Sequence, residues 1–179
     1  MRELTQIPQP RLCWVDLSKN KIEMCVEFTG HDNLREFLLA NNRLENCAGL
    51  GNMPKLLTLD LSGNKLTTLK DLSGLPMLKE LNVSKNKLAN LAEFPSLPAM
   101  ETFDASENVI EQNGDKELEN LKDCASLKTL LMAGNPWVDE KADEFKKEVL
   151  IALDNLSIEQ VNDLDPVNDE DKAEASAEK

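Results

Sequence analysis

Apolar residues recur along this chain in a fixed phrase. Six segments carry it: LCWVDLSKNKI from Leu12, LREFLLANNRL from Leu34, LLTLDLSGNKL from Leu56, LKELNVSKNKL from Leu78, METFDASENVI from Met100 and LKTLLMAGNPW from Leu127. Each reads L-x-x-L-x-L-x-x-N-x-L with apolar exchanges. The asparagines Asn20, Asn42, Asn64, Asn86, Asn108 and Asn135 are separated by 22, 22, 22, 22 and 27 residues. Such a period marks a stacked repeat rather than independent elements. In Leu59-Asp60-Leu61 the alternation predicts a short strand with its leucines inward and its aspartate outward. Strands from successive coils then form one parallel sheet. Each asparagine falls where the chain turns inward, and its amide can satisfy backbone groups that the turn leaves unpaired. The six asparagines are therefore read as a structural ladder.

The stretches between these phrases keep a different rhythm. Leu66, Leu69, Leu72 and Leu75 follow Asn64, while Leu88, Leu91, Phe94 and Leu97 follow Asn86. Apolar residues at every third position predict short 3₁₀ turns or an extended return rather than an α-helix. Pro54, Pro76, Pro95 and Pro98 agree, because proline is poor inside a helix. Cys25 and Cys47 hold the register of Leu69 and Leu91, and Cys124 lies in an equivalent one. They read as small buried hydrophobes, with a Cys25–Cys47 disulfide between adjacent coils as the alternative. The fifth repeat carries five extra residues within EQNGDKELENLKDC. Glu117 to Cys124 predict a helical turn or two, with Leu118, Leu121 and Cys124 inward. The insertion is either part of a binding face or a tolerated surface loop.

An open solenoid needs covered ends. After GNPW, the run VDEKADEFKKEVLIALDNL predicts an amphipathic helix with Phe145, Val149, Leu153 and Leu156 on one face. Asp139 and Glu140 suit its first turn through the helix dipole, and Val161 and Leu164 are expected to close the last coil. At the other end, Leu4 and Ile7 offer a crude cover. The expected organisation is an N-terminal edge over 1–11, six repeats over 12–138, a C-terminal cap over 139–165 and an acidic tail over 166–179.

The repeat phrase, with the terminal GNPW…F…VL…L…LD and V-x-D-E at residues 134–170, resembles the leucine-rich-repeat proteins. Within them it is similar to the class typified by the regulatory subunit of type-1 protein phosphatase. The resemblance implies an α/β leucine-rich-repeat solenoid. Its curved parallel sheet forms the concave face, 3₁₀ or extended returns form the convex face, and a helical cap closes the C-terminus. It also implies protein binding through the solenoid. Relatives include an axonemal dynein light chain and the A-prime subunit of a spliceosomal particle, so a cytoskeletal subunit and a subunit of an RNA–protein complex are alternative roles. The chain departs from the class in having fewer repeats than the phosphatase subunit. It also lacks the long acidic tail of the acidic nuclear phosphoproteins.

Charge narrows the choice. Twenty basic residues against 33 acidic ones leave a formal net charge of −13, which argues against direct phosphate-backbone binding and favours basic partner surfaces. No apolar run is long enough to span a membrane, and the first residues lack the apolar core of a secretory signal. A cytoplasmic or otherwise intracellular protein is expected. With His31 as the one histidine and no CxxC pair, no zinc set is expected. Nucleophile, phosphate-loop and calcium-loop motifs are also missing, so neither a cofactor nor catalysis is expected.

Outward strand positions form columns at the repeat spacing. One reads Trp14, Glu36, Thr58, Glu80, Thr102, Thr129; the next reads Asp16, Leu38, Asp60, Asn82, Asp104, Leu131. A third holds only Ser18, Ala40, Ser62, Ser84, Ser106 and Ala133. Carboxylates beside outward leucines and a tryptophan are the composition of a docking face. The expected partner-binding residues are Trp14, Asp16, Glu36, Leu38, Asp60, Glu80, Asn82, Asp104 and Leu131, facing a basic or amphipathic protein segment. The competing reading is that Trp14 covers the bare end of the sheet. A basic stripe, Lys21, Arg43, Lys65 and Lys87, follows the asparagines and reads mainly as solvated filler.

Overall fold

Every repeat phrase folds into a three-residue strand. In the computed structural model, which describes residues 2–25, 28–111, 116–140, 142–162 and 166–177, these are β1 (Trp14–Asp16), β2 (Glu36–Leu38), β3 (Thr58–Asp60), β4 (Glu80–Asn82), β5 (Thr102–Asp104) and β6 (Thr129–Leu131). They lie in chain order in one parallel sheet, joined at its end by β7 (Gln160–Val161). The middle residue of each strand is buried and its neighbours face out, as alternation requires. Val15, Phe37, Leu59, Leu81, Phe103, Leu130 and Val161 thus run as one inward row. Register is strict, Trp14 opposite Glu36 opposite Thr58 opposite Glu80 opposite Thr102 opposite Thr129.

The ladder is made of hydrogen bonds between coils. Asn64 Nδ2 donates to the carbonyl of Leu61 in its own coil (2.9 Å) and of Leu39 in the preceding one (3.0 Å), while its Oδ1 accepts from the Leu44 amide (3.0 Å). Asn42, Asn86, Asn108 and Asn135 repeat this pattern. Among the described residues, Asn20 bonds only to carbonyls of its own coil, and it is exposed. One position before each asparagine the backbone is left-handed: Lys19, Asn41, Gly63, Lys85, Glu107 and Gly134 have φ of 58°, 56°, 64°, 57°, 51° and 73°. Glycine occupies only two of the six. Stacking therefore overrides a local preference worth roughly 1–2 kcal/mol per ordinary residue.

Returns are chains of single turns. Phe28, Leu50, Leu56, Leu72, Leu78 and Met100 each donate to the carbonyl three residues back, so the every-third apolar rhythm becomes separate turns rather than a helix. Among the described residues, four short or medium helices complete the fold: α1 (Lys116–Glu119), α2 (Pro136–Glu140), α3 (Ala142–Ala152) and α4 (Asp169–Ala177). Within the fifth-repeat insertion, Leu118, Leu121 and Cys124 turn inward as expected; residues 112–115 lie outside the described ones. Glu117 is also buried, and its carboxylate accepts the Leu91 amide of the preceding coil at 2.5 Å.

Both ends are built from more than the repeat. At the N-terminus Leu4 is buried and its amide donates to Met24 (2.9 Å), while the Glu23 amide donates to Arg2. Gln6 ties the same segment to Thr29 and Gly30. His31 belongs to this cover: it is buried, with Nε2 2.9 Å from the Gln9 carbonyl and Nδ1 accepting the Asn33 amide. A nitrogen facing a carbonyl must carry the proton, so the ring is a structural strut. At the C-terminus Pro136 opens α2, where its missing N–H costs nothing. Trp137 meets Phe145 edge-on at 5.3 Å, and Val149 and Leu153 complete the buried face, with Leu156 half-buried. Val161 pairs opposite Leu130, while Leu164 falls outside the described residues. Helix α4, within the acidic tail, returns over α3. Asn168 caps it by accepting the Glu170 and Asp171 amides, Asp171 accepts the Asn168 amide in return, and Lys146 bridges to Asp171 at 2.7 Å.

All four cysteines are free thiols. Burial pushes Cys25 and Cys47 up to about 12 and Cys124 to about 11, while Cys13 is exposed. Since the thiolate is the nucleophile, the native protein should consume one equivalent of a thiol-disulfide reagent quickly at mildly alkaline pH. The other three should react only on unfolding. A second fast thiol would show that the core opens where it is drawn closed.

Candidate functional site

The outward columns predicted from sequence meet in one trough. Its central part, about 340 Å3, is lined by Leu38, Asp60, Glu80, Asn82, Asp104 and Leu131, with threonines between them and Leu59 and Leu81 at the floor. A second hollow, lined by Asp104 and Leu131 with Ser84, Lys85, Glu107 and Asn162, continues it toward the cap. Six of the nine expected residues therefore line one continuous recess. Asp16 and Trp14 stand on the first strand beyond it, and Glu36 on the second. Trp14 is 52 % exposed. Leu38 and Leu131 are half-buried, each with one flank on the sheet and one in the trough.

The aspartates are not free-swinging. Asp16, Asp60 and Asp104 each accept the backbone amide two residues on, from Ser18, Ser62 and Ser106, at 2.8–2.9 Å. Asn82 does the same for Ser84, amide and hydroxyl both. These are Asx turns. Where the column carries Leu38 or Leu131 instead, the position two residues on is Ala40 or Ala133. The pairing of Asp or Asn with Ser, and of Leu with Ala, was available in the sequence and points to this lock. The third column of small residues is thus partly the other half of the turn. One carboxylate oxygen per aspartate is held by the turn, leaving the other for a partner. Ser18, by its hydroxyl and then its amide, holds the Asp16 carboxyl below the usual carboxylate range. Glu80 accepts a hydrogen bond from Thr58 (3.2 Å).

Cations flank the central part of the trough, and Lys85 lines the second hollow. Lys79 meets Glu101 at 2.6 Å and Lys128 meets Glu159 at 3.3 Å on one side. On the other, Lys85 meets Glu107 at 3.3 Å and Arg43 meets Glu23 at 3.5 Å. The basic stripe is accordingly part-neutralised: Arg43 is paired, while Lys21, Lys65 and Lys87 stand exposed.

Comparison with known proteins agrees with the fold. A family model described as leucine rich repeats (2 copies) matches residues 32–74. No curated protein sequence matches the chain. Among solved structures, an internalin from Listeria monocytogenes strain 4b F2365 is similar, with a TM-score of 0.60 and 18% identity, covering 87% of this chain and 49% of that one. This chain thus spans about half the length of that protein. At such identity the likeness is one of fold. These matches concern the repeat and do not reach the phosphatase-subunit class. Among the described residues no helix is long and apolar enough to cross a membrane.

Proposed function

This chain is a leucine-rich-repeat protein of about 22-residue coils, and from that premise we propose that it is a non-catalytic adaptor that docks a basic or amphipathic protein segment in its trough. Solenoids of this kind present an extended concave surface, and binding there is their common use. The observation that carries the reading is the composition of the two outward columns. They hold Asp16, Glu36, Asp60, Glu80 and Asp104, no cation, and three apolar points at Trp14, Leu38 and Leu131. An exposed aromatic and two half-exposed leucines, beside carboxylates that no cation among the described residues neutralises, form a surface suited to cover by a partner. The carboxylates would steer a cationic partner and set its register, while the apolar points supply affinity. Because these acids recur with the coil and three are spent on turns, they do not form a tuned acid–base couple.

The test is affinity purification from cells with the wild-type chain and with Leu38→Glu/Asp60→Arg as baits, followed by mass spectrometry. The partner should be present with the first and missing with the second, whose melting curve remains cooperative. Equal recovery on both baits would remove the trough from consideration.

A further inference from the structure

Resting on that reading, we propose that the trough is a ruler for a cationic segment in the polyproline-II conformation, with one arginine or lysine per turn. The carboxylates alternate. Asp16, Asp60 and Asp104 occupy every second coil of one column, with Leu38 and Asn82 between them, and Glu36 and Glu80 occupy the intervening coils of the neighbouring column. Adjacent strands lie about 4.8 Å apart, so like-placed carboxylates repeat at about 9.6 Å. The Asx turns hold the three aspartates in one orientation, so this spacing is set before a ligand arrives.

Few backbones carry side chains at that interval on one face. A polyproline-II helix does, because three residues at about 3.1 Å each return to the same face after about 9.3 Å. From Asp16 to Asp104, about 19 Å of sheet, two such turns drift by under about 1 Å and do not rotate. An α-helix over the same carboxylates needs fourteen residues, about 21 Å, and turns roughly 40° off the column. A β-strand repeats on one face at about 6.7 Å or twice that, and matches neither. Charge complementarity supplies the cations, since every charged residue of the two columns is a carboxylate. Trp14, exposed beside Asp16 at the end of the trough, adds the aromatic surface against which prolines pack in this mode of recognition.

The experiment measures binding of labelled peptides to the full chain by fluorescence anisotropy at near-physiological salt. One peptide repeats Arg-Pro-Pro, a second has the same composition with its arginines clustered, and a third is an alanine-based helix with arginine at every seventh position. The triplet repeat should bind about tenfold or more tightly than either other peptide. Asp60→Asn/Asp104→Asn should weaken it by about tenfold while leaving the melting temperature unchanged. Asparagine keeps the turn, as Asn82 already does in coil four. Equal binding of triplet and clustered peptides overturns the ruler, because charge alone then suffices. Tighter binding of the helix, lost in the same variant, also overturns it but keeps the trough as a docking face. If none of the three binds, the ruler is again overturned, and the bait comparison judges the docking reading on its own.

Discussion

Asn86→Ala will destabilise the protein by about 3–5 kcal/mol, read as a fall in the urea midpoint with the slope of the transition unchanged. The effect exceeds that of an ordinary side-chain truncation because the asparagine is buried at a junction of two coils. Its Nδ2 serves the carbonyls of Val83 at 2.9 Å and Leu61 at 3.0 Å, and its Oδ1 serves the Leu66 amide at 2.9 Å. Alanine orphans the buried Leu66 amide, at about 1–3 kcal/mol, and takes one of two donors from each carbonyl, since Leu61 keeps Asn64 and Val83 keeps Asn108, at about 0.5–1.5 kcal/mol apiece. Aspartate is no rescue: it accepts from Leu66 but sets a carboxylate against two carbonyls, so Asn86→Asp should be at least as damaging. A loss below about 1 kcal/mol for Asn86→Ala would mean that these junctions are hydrated and the ladder is not what joins the coils.

Trp137→Ala should cost a similar amount, about 3–5 kcal/mol by the same measurement. The indole is buried beneath the cap and packs edge-on against Phe145. Its Nε1 has no hydrogen-bond partner among the described residues. That separates size from polarity. Trp137→Phe loses ring volume yet also removes an unsatisfied donor, so it should retain most of the stability that alanine forfeits. If phenylalanine is as damaging as alanine, the N–H is engaged after all, by ordered water or by a group outside the described residues. Because coil six carries Leu131, loosening the cap should also weaken partner capture in proportion.

The repeat, the parallel sheet, the ladder and the inward face of α3 were legible because each is written as a period, and stacking identical coils leaves little freedom. The identity of the outward columns was legible for the same reason. What escaped was non-periodic. Gln160–Val161 joined the sheet although Ile158-x-x-Val161 repeats the opening of the phrase only once. Helix α4 was masked by its acidic composition, yet Asn168 and Asp171 spell a capping pair. The left-handed residues at Lys19, Lys85 and Glu107 could not be read locally, since lysine and glutamate carry no preference for that conformation. The strut role of His31 rests on Gln9 and Asn33, partners that become visible only once the N-terminal segment is placed.

The solitary state of Asn20 gives the molecule a direction. In every later coil an asparagine takes an amide from the coil before it, whereas Asn20 has no such donor among the described residues and faces solvent. The opposite end is clamped by Trp137, α3 and α4. Thermal unzipping should therefore start at coil one, where the edge segment's bonds to Glu23, Met24, Thr29 and Gly30 stand in for the ladder, and travel toward the cap, as a zipper opens from its lightly stitched end. Trp14 and Asp16 sit on that first tooth, so a ligand anchored there would act as the missing stitch.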